Sequence, residues 1–394
     1  MESFRYILVG GGMATAAAAE GIRRHDQYGS IGLFSQDRYP PYSRPPLSKG
    51  LWQGKRMETI WRYPDPAALG IREHLGQGVA DIAPAAHRIR LQDGRTFGYD
   101  KLLIATGGAP RRLPGDPQGV HYLRTLDDYL GIYRAARQQS FLIVGGGFIG
   151  AELACALIRQ QKDVRMVFPA PTILARILPQ DLAQSVSAYY AAQGVQLSPL
   201  TSVHEVRREG DRMLVAPSGG EPIEIDAVIA GLGIRPSTTL AEEAGLQVQD
   251  GIVVDQYGRT SDPDIYAAGD VARFPLPALG RSVRVEHEDN AISRGRIAGR
   301  NMAGAGEAAT DAPFFYSDLF DLGFEAVGDL DAGLATFADW AEPYRKGVVY
   351  YLADGKVRGV LNWNVWDQVP AARALLGTGP YARPEDLRGR IQLS

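Results

Sequence analysis

Two short glycine-rich segments are the residues of this chain whose type and spacing point most directly to chemistry. Residues 145–150 (GGGFIG) fit Gly-x-Gly-x-x-Gly in full, and residues 10–15 (GGGMAT) fit it except for Thr15 in the third place. Each follows an apolar run and precedes a helix-forming run. Such a turn lets the backbone approach a pyrophosphate and directs the helix N–H groups at it. One match is also typical of any tight strand-to-helix turn, whereas two predict dinucleotide binding.

The elements that position these turns form an internal duplication. Residues 6–12 (YILVGGG) recur as 141–147 (FLIVGGG), and residues 100–107 (DKLLIATG) recur in the same order as 226–233 (DAVIAGLG). The pattern predicts two similar α/β units in tandem. A third closing strand, residues 264–269 (DIYAAG), has no glycine turn of its own, so we expect it to return to the first unit.

The character of the sequence changes from about Phe314 to antiparallel signals. Residues 347–352 and 356–363 are β-branched and aromatic runs that bracket residues 353–355 (ADG), a pattern that predicts a hairpin. The fold class is therefore α/β with two Rossmann-like domains of the glutathione-reductase type, the second inserted in the first, plus a C-terminal α+β domain. The expected boundaries are 1–120 with 246–311, then 121–245, then 312–394.

Composition excludes several classes of function. The chain has 394 residues, with 42 Lys and Arg against 45 Asp and Glu, and this balance argues against nucleic acid as a partner. The single Cys155 excludes an internal disulfide and a redox-active pair. No apolar run approaches the roughly 18 residues of a membrane span, and no Cys and His spacing resembles a metal site. We expect a cytoplasmic protein without a targeting peptide or a bound metal.

The ends of the second strands carry unusual residues. An acid about 20 residues after the glycine turn normally binds ribose hydroxyls. The first unit instead has Gln36, which can still hydrogen-bond a ribose, and the second has residues 169–171 (PAP), with Ala170 where an acid is expected. Arg176 is the next cation after Ala170 in the sequence, so the choice between NADH and NADPH stays open on these residues.

Residues 41–49 (PYSRPPLSK) form a proline-braced loop with two cations, Arg44 and Lys49. Proline fixes φ and blocks strand pairing, so the composition of the loop is typical of an extended linker. Its place after the ribose-binding strand favours a second interpretation, a contact with the nucleotide.

Together these segments resemble the flavoprotein family of apoptosis-inducing factor and of the ferredoxin reductases that serve bacterial oxygenases. The match extends over most of the chain, and its C-terminal part is more similar to apoptosis-inducing factor. The segments that carry the resemblance are 41–49, 105–111 (ATGGAPR), 145–157 (GGGFIGAELACAL), 268–272 (AGDVA), 284–287 (RVEH), 315–319 (FYSDL), 323–328 (GFEAVG) and 347–373.

The resemblance implies two bound dinucleotides, non-covalent FAD and NADH or NADPH, in two cradles that face each other. The residues it assigns to FAD are Gly10, Gly12, Met13, Ala14, Thr15, Gln36, Arg44, Lys49, Ala80, Ala105, Thr106, Gly107, Arg111, Gly269, Asp270, Glu286, His287 and Tyr316. The residues it assigns to NAD(P)H are Gly145, Gly147, Phe148, Ile149, Gly150, Glu152, Ala170, Gly233 and Glu325.

Individual roles follow from the same resemblance. Arg44 and Arg111 would offset pyrophosphate charge, and Asp270 would accept hydrogen bonds from ribityl hydroxyls. His287 and Tyr316 would line the flavin ring. Taken alone, Asp270 also reads as a helix N-cap and His287 as a satisfied buried histidine.

Lys49 and Glu152 are the expected pair near flavin N5, where hydride transfer occurs. A buried Lys–Glu pair stabilises a fold little because desolvation offsets attraction, so its presence would need a functional reason. The alternative is that Glu152 lies on an exposed helix face and Lys49 is solvated.

The predicted function is FAD-dependent NAD(P)H oxidation with electrons passed to an acceptor, for which a small iron–sulfur ferredoxin of an oxygenase system is expected. Arg373, Arg383, Arg388 and Arg390 would supply a basic surface for it. The alternative is a flavin and NADH redox sensor with slow turnover and a ligand-dependent dimer or partner interface. A monomer and a homodimer both fit, as does a scaffold that has lost nucleotide binding.

Overall fold

The computed structural model describes residues 1–63 and 65–393. The chain divides into two compact units. The first unit comprises Met1–Arg44, Arg56–Ala109 and Arg235–Pro313, and the second comprises Pro45–Lys55, Pro110–Ile234 and Phe314–Ser394. The α-helices of the described residues are α1 Met13–Arg23, α2 Leu126–Ala135, α3 Phe148–Arg159, α4 Gln180–Ala192, α5 Thr239–Glu243, α6 Glu288–Met302 and α7 Val369–Leu375. The predicted boundaries of three domains stay a prediction.

The first unit is built on a mixed sheet with a parallel centre. In spatial order its strands are Ile71–His74, Ile31–Phe34, Glu2–Val9, Thr96–Ile104, Arg88–Leu91 and Val79–Ala83, and Ile265–Ala267 also pairs with Thr96–Ile104. That last pairing is parallel and joins Tyr266 to Leu103, so the third closing strand returns to the first unit as the sequence predicts. Strands buried on both faces read as continuous apolar runs, as Ile31–Phe34 does. A second sheet of this unit contains Ile252–Val253, Ala272–Leu276 and Arg281–Val283.

Helices α1 and α6 of the first unit pack closely because small residues face each other. A β-carbon on Gly295 would lie 2.4 Å from the Ala14 carbonyl oxygen, and one on Gly299 would lie 2.0 Å from that of Ala18. The alanine-rich sequence of α1 therefore serves close backbone approach as well as helix propensity. Thr15, the bulkier residue in the third motif place, is fully buried without displacing the start of the helix at Met13.

The second unit contains a five-stranded parallel sheet around the second glycine turn. Its strands, in spatial order, are Gln196–Ser198, Asp163–Val167, Ser140–Val144, Ala227–Ala230 and Val120–Tyr122. An antiparallel sheet of Val203–Glu209, Arg212–Pro217 and Ile223–Ile225 belongs to the same unit. The strands Gly108–Pro110 and Ile234–Pro236 form a separate two-stranded sheet.

The C-terminal part of the second unit is an antiparallel five-stranded sheet. Its order is Phe314–Leu319, Leu322–Gly328, Lys356–Trp363, Lys346–Ala353 and Ala335–Glu342. The predicted hairpin is present: Ala353 pairs with Lys356, and both turn residues, Asp354 and Gly355, have positive φ. A turn with two such residues matches the right-handed twist of the strands.

Candidate functional site

The first glycine turn leaves open space where a phosphate would approach. Gly10 has a φ of +125°, and a β-carbon there would lie 2.2 Å from the Ala105 carbonyl oxygen, so only glycine fits this turn. A β-carbon on Gly12 would meet no atom within 4 Å. Gly12 is the N-cap of α1, and no side chain of this residue caps the first N–H groups of the helix, which leaves them available to an anionic ligand.

The second glycine turn repeats this geometry. Gly145 has a φ of +117°, and a β-carbon there would lie 2.3 Å from the Gly231 carbonyl oxygen. Gly147 has open space around it and precedes α3, which starts at Phe148 and Ile149. A β-carbon on Gly150 would lie 2.2 Å from the Gly145 oxygen, so glycine here allows the helix to pack on the strand. Both turns fit a pyrophosphate in the same way.

Residues of the expected FAD site surround the first turn. Gly269 has a φ of +79°, and a β-carbon there would lie 3.1 Å from the Ala14 β-carbon, which places the Gly-Asp segment beside the start of α1. Thr106 donates its hydroxyl to the Ser237 carbonyl at 2.8 Å, and Gly107 takes a positive φ in the same turn. The buried Thr15 Oγ1 has no hydrogen-bond partner among the residues that the structure describes. The first unit therefore has a cradle, a helix end and a polar atom that suit a dinucleotide.

Three other assigned residues lie at the strand ends of the first unit. Gln36 follows Ile31–Phe34 and packs against Gly78, whose added β-carbon would lie 2.8 Å from the Gln36 Cγ. Ala80 lies at a register shift between Val79–Ala83 and its neighbour, a bulge that exposes backbone groups. The Arg44 guanidinium lies 5.5 Å from the ring centre of Tyr42, a cation–π contact within the proline-braced loop.

Arg284 holds the backbone of the Gly-Asp segment and was given no role by the sequence. It donates to the Asp270 carbonyl oxygen at 3.2 Å and to Glu286 Oε1 at 2.9 Å, and its Nε lies 3.3 Å from Asp250 Oδ1. Its side chain is only 11% exposed. The arginine thus fixes the position of Asp270, which precedes α6 in the same unit.

Replacing Arg284 with alanine is expected to weaken FAD binding about tenfold. A hydrogen bond from a charged group is worth about 1.5–3 kcal/mol, and its loss would let the Asp270 backbone move. The measurement is the dissociation constant of FAD, followed by flavin fluorescence as the cofactor is titrated into FAD-free protein. Arg284→Lys keeps the charge but not the planar guanidinium, so its dissociation constant for FAD should lie between those of the wild type and Arg284→Ala. Equal FAD affinity in all three proteins would contradict this role.

His287 is the N-cap residue of α6, and burial lowers its pKa to about 4 while the Asp270 carboxylate opposes that change. The residue is partly exposed, but its Nδ1 is buried. The imidazole is therefore neutral at neutral pH, so no positive histidine charge lies at the start of α6.

This lowered pKa predicts a loss of stability in acid. The contribution of neutral His287 is fully present above pH 6.5 and is lost as the pH falls toward 4, because the unfolded chain binds a proton there first. The pKa difference corresponds to about 3 kcal/mol, and partial exposure makes about 1–2 kcal/mol the expected loss. Urea unfolding at fixed FAD concentration measures it. His287→Gln should show a smaller fall between pH 7 and 4.5, and equal slopes would refute the assignment.

Lys49 and Glu152 form a buried ion pair in the second unit. Lys49 Nζ lies 3.2 Å from Glu152 Oε1, and the two side chains are 11% and 7% exposed. The ammonium also lies 3.5 Å from Asp318 Oδ2 and 4.0 Å from the ring centre of Tyr316. The alternative of a solvated lysine and an exposed helix face is therefore wrong.

Two serines that the sequence analysis did not single out complete this cluster. Ser48 donates to Glu152 Oε2 at 2.6 Å, and Ser317 donates to Glu152 Oε1 at 2.7 Å. The carboxylate is thus held by donors from the proline-braced loop and from Phe314–Leu319. Ser48 precedes Lys49 and Ser317 precedes Asp318 in the chain, but only their spatial contact with Glu152 shows the role.

The remaining assigned residues of the second unit surround α3 and the sheet ends. The Arg111 N–H donates to the Gly233 carbonyl at 2.9 Å. Phe148 packs edge-on against Phe315 with ring centres 5.5 Å apart. Glu325 pairs with Tyr316 across two strands, and burial raises the pKa of its carboxyl above the ordinary value.

The residues assigned to FAD are divided between the units. Lys49, Arg111 and Tyr316 belong to the second unit, and the others belong to the first. Their common contact with one flavin stays a prediction.

The described part of the chain comprises residues 1–63 and 65–393. Within these ranges, no helix combines the length and apolar character needed to cross a membrane. The same described residues contain no group of three or more His, Cys, Asp or Glu side chains placed to hold a metal ion.

Comparisons with known proteins agree with this geometry. Residues 4–295 match the family described as pyridine nucleotide-disulphide oxidoreductase, and residues 339–378 match the C-terminal family of mitochondrion-associated apoptosis-inducing factor. The ferredoxin–NAD(+) reductase component of the Burkholderia cepacia anthranilate 1,2-dioxygenase system is 32% identical over 98% of this chain and 97% of its own length. Mitochondrial apoptosis-inducing factor 1 of Dictyostelium discoideum is 32% identical over 95% of this chain and 79% of its own.

A solved structure shows the same fold. A chain in the crystal structure of the covalent putidaredoxin reductase–putidaredoxin complex superimposes with a TM-score of 0.89 and 31% identity. The superposition covers 95% of this chain and 93% of that one.

Proposed function

The chain belongs to the pyridine nucleotide-disulphide oxidoreductase family, and from this premise we propose that it is an FAD-dependent NAD(P)H oxidoreductase that passes electrons to a ferredoxin. The observation that carries the proposal is the pair of glycine turns, one in each unit, with open space beside Gly12 and Gly147. Two cradles with the same shape suit two dinucleotides, an electron-carrying cofactor and its reductant.

The first unit supplies the groups that would hold FAD. The N–H groups at the start of α1 would face the pyrophosphate, and Thr106 and Gly107 would border it from the neighbouring strand end. Asp270, positioned by Arg284, would accept hydrogen bonds from the ribityl chain. FAD, when bound, supplies a ring that accepts hydride at N5 and releases electrons one at a time.

The second unit supplies the groups that would hold the nicotinamide nucleotide and the paired charges. We propose that Lys49 and Glu152 orient the nicotinamide amide and set the charge beside N5. Ser48 and Ser317 support this role because they fix both oxygens of the Glu152 carboxylate. Because the Lys49–Glu152 pair is already held in position, it need not reorient during hydride transfer, and this pre-organisation would lower the barrier to the reaction.

The electrons leave to an acceptor outside the chain. Cys155 is the single cysteine, and burial raises the pKa of its thiol to about 11, so it is neither part of a dithiol nor a ready thiolate. A relative that serves an oxygenase and a neighbour solved together with putidaredoxin both support a small iron–sulfur protein as the acceptor.

The C-terminal arginines offer a weaker surface for an acidic partner than the sequence predicts. Arg383 lies 3.2 Å from Asp386, and Arg388 lies 3.9 Å from Asp339. These carboxylates reduce the net positive charge of the segment, so electrostatic attraction of a ferredoxin would depend on other cations as well.

The match of residues 339–378 to apoptosis-inducing factor favours a second candidate. In this role the protein is a redox sensor with slow turnover, and its dimer or partner interface changes with the bound nucleotide. Either role fits a cytoplasmic monomer or homodimer.

Turnover with a separate acceptor tests the proposal and distinguishes the two roles. The FAD-loaded protein is mixed with NADH or NADPH and with acidic [2Fe–2S] ferredoxins of oxygenase systems, one at a time, and ferredoxin bleaching is followed. Many turnovers per second support the reductase, since typical enzymes work in that range. Slow reduction with a nucleotide-dependent change in sedimentation supports the sensor. If no ferredoxin is reduced and the oligomer does not change, both proposals fail.

A further inference from the structure

The ribose edge of the second unit is the end of Asp163–Val167 and the loop beside it. We define it by Phe168, Pro169 and Ala170 together with Pro199, Leu200 and Thr201. The Leu200 N–H donates to the Ala170 carbonyl at 3.1 Å, and the Thr201 N–H donates to the Phe168 carbonyl at 3.0 Å, so the two segments form one edge.

Strand register identifies the position where an acid would contact a ribose. Val9 pairs with Phe34 in the first unit, and Val144 pairs with Val167 in the second. The first glycine of each turn donates its N–H to the carbonyl of the second residue of the pair, Phe34 or Val167. Two residues farther along, the register sets Pro169 in the place of Gln36. The sequence predicts this contact for Ala170, one residue later.

The ribose edge carries no charge. Residues 166–174 (MVFPAPTIL) and 196–202 (QLSPLTS) contain no Asp, Glu, Lys, Arg or His. The next cation after Ala170 along the chain, Arg176, is exposed and lies outside both segments. Phe168 is buried beneath Gly146, whose added β-carbon would lie 3.0 Å from the Phe168 ring. The position that normally reads the ribose is therefore occupied by aromatic and cyclic aliphatic side chains.

The exposed side chains of the edge are apolar. Leu200 is 72% exposed and has a φ of +53°, a conformation that leucine seldom adopts. Pro169 is also exposed, and Ala170 is half-buried between the two segments. An apolar lip of this kind offers contact to an adenine ring but no partner for the 2′ group of its ribose.

We propose, on the basis of the proposed function, that the second unit accepts NADH and NADPH with similar affinity. A carboxylate at this position accepts a hydrogen bond from the ribose 2′-hydroxyl and repels a 2′-phosphate, and a nearby arginine favours that phosphate. The ribose edge contains neither a carboxylate nor an arginine, so it neither stabilises the 2′-hydroxyl by a hydrogen bond nor repels the 2′-phosphate. The adenosine half is held instead by Pro169, Ala170 and Leu200.

Equilibrium binding of the oxidised nucleotides tests this without turnover. NAD+ and NADP+ are titrated into the FAD-loaded protein by calorimetry, and 5′-AMP and 2′,5′-ADP are titrated as probes of the ribose edge alone. We expect dissociation constants within about threefold for each pair. A pair that differs by about thirtyfold or more would overturn the inference, although binding of either nucleotide would leave the proposed function in place. If neither nucleotide binds, the inference and the proposed function are both wrong.

Charge variants test the position itself. Pro169→Glu should weaken NADP+ relative to NAD+ by about tenfold or more, because like charges then meet, and Pro169→Arg should shift the ratio the other way. Gln193→Glu adds the same charge at an exposed position after α4, at the opposite end of the sheet, and should leave the ratio unchanged. If the proline variants do not fold, Ala170→Glu replaces them. An unchanged ratio in the folded variant would overturn the inference.

Discussion

Glu152→Gln is expected to lower the rate of flavin reduction by NAD(P)H about 100-fold, the order of loss that small misplacements of reacting groups produce. The Glu152 side chain is 7% exposed and accepts hydrogen bonds from Ser48 and Ser317 while it pairs with Lys49. Glutamine carries no charge and offers one oxygen and one amide group, so the attraction to Lys49 is lost and the carboxylate's hydrogen bonds can no longer all be kept. Anaerobic stopped-flow measurement of flavin bleaching, with FAD content matched to the wild type, gives the rate.

Asp318→Asn is the matched control for this change. Asp318 is the second carboxylate beside Lys49, at 3.5 Å, but its side chain is 45% exposed. Because exposed pairs contribute about 0–1 kcal/mol, we expect a change in rate of less than about fivefold. If Glu152→Gln reduces its flavin as fast as the wild type and with an unchanged flavin spectrum, the pair has no role in hydride transfer.

Aspartate substitutions at the two open glycines should separate the two nucleotide sites. A β-carbon on Gly12 or Gly147 would meet no atom within 4 Å beyond the adjoining backbone and neither residue has a positive φ, so both variants should fold. An anionic side chain at a pyrophosphate cradle costs several kcal/mol, which is about 100-fold or more in affinity. Gly12→Asp should purify without FAD, and Gly147→Asp should keep FAD but bind NAD(P)H about 100-fold more weakly.

Asparagine has nearly the same size without the charge, so Gly147→Asn controls for steric effects. It should bind NAD(P)H more tightly than the aspartate variant does. The measurements are flavin content after purification and nucleotide binding by calorimetry. If Gly12→Asp keeps its flavin while Gly147→Asp loses it, the two cofactors have been assigned to the wrong turns.

The sequence predicts the parts of the fold that depend on local pattern and duplication. The glycine turns, the helices after them, the returning strand Ile265–Ala267 and the hairpin at Asp354 are all found in the structure. The comparisons confirm the predicted family, the fold class, FAD-dependent oxidoreductase activity and the use of NAD(P)H. Local periodicity and turn chemistry suffice for these features because each is encoded within a short stretch.

The contacts that build the site could not be predicted from local pattern. Ser48 and Ser317 are 104 and 165 positions from Glu152, and only the pairing of loop, helix and strand brings them to its oxygens. Arg284 holds Asp270 from 14 positions away through a backbone carbonyl, which leaves no motif in the sequence. The assigned roles of the individual site residues stay predictions for the variants above.

Anaerobic rapid mixing of the FAD-loaded protein with NADH, and separately with NADPH, tests whether hydride passes from the nucleotide in the second cradle to the flavin in the first. We expect the visible flavin absorbance to bleach with both nucleotides and to return when an electron acceptor is added. Flavin that stays oxidised with both nucleotides at saturating concentration would contradict hydride transfer between the two sites.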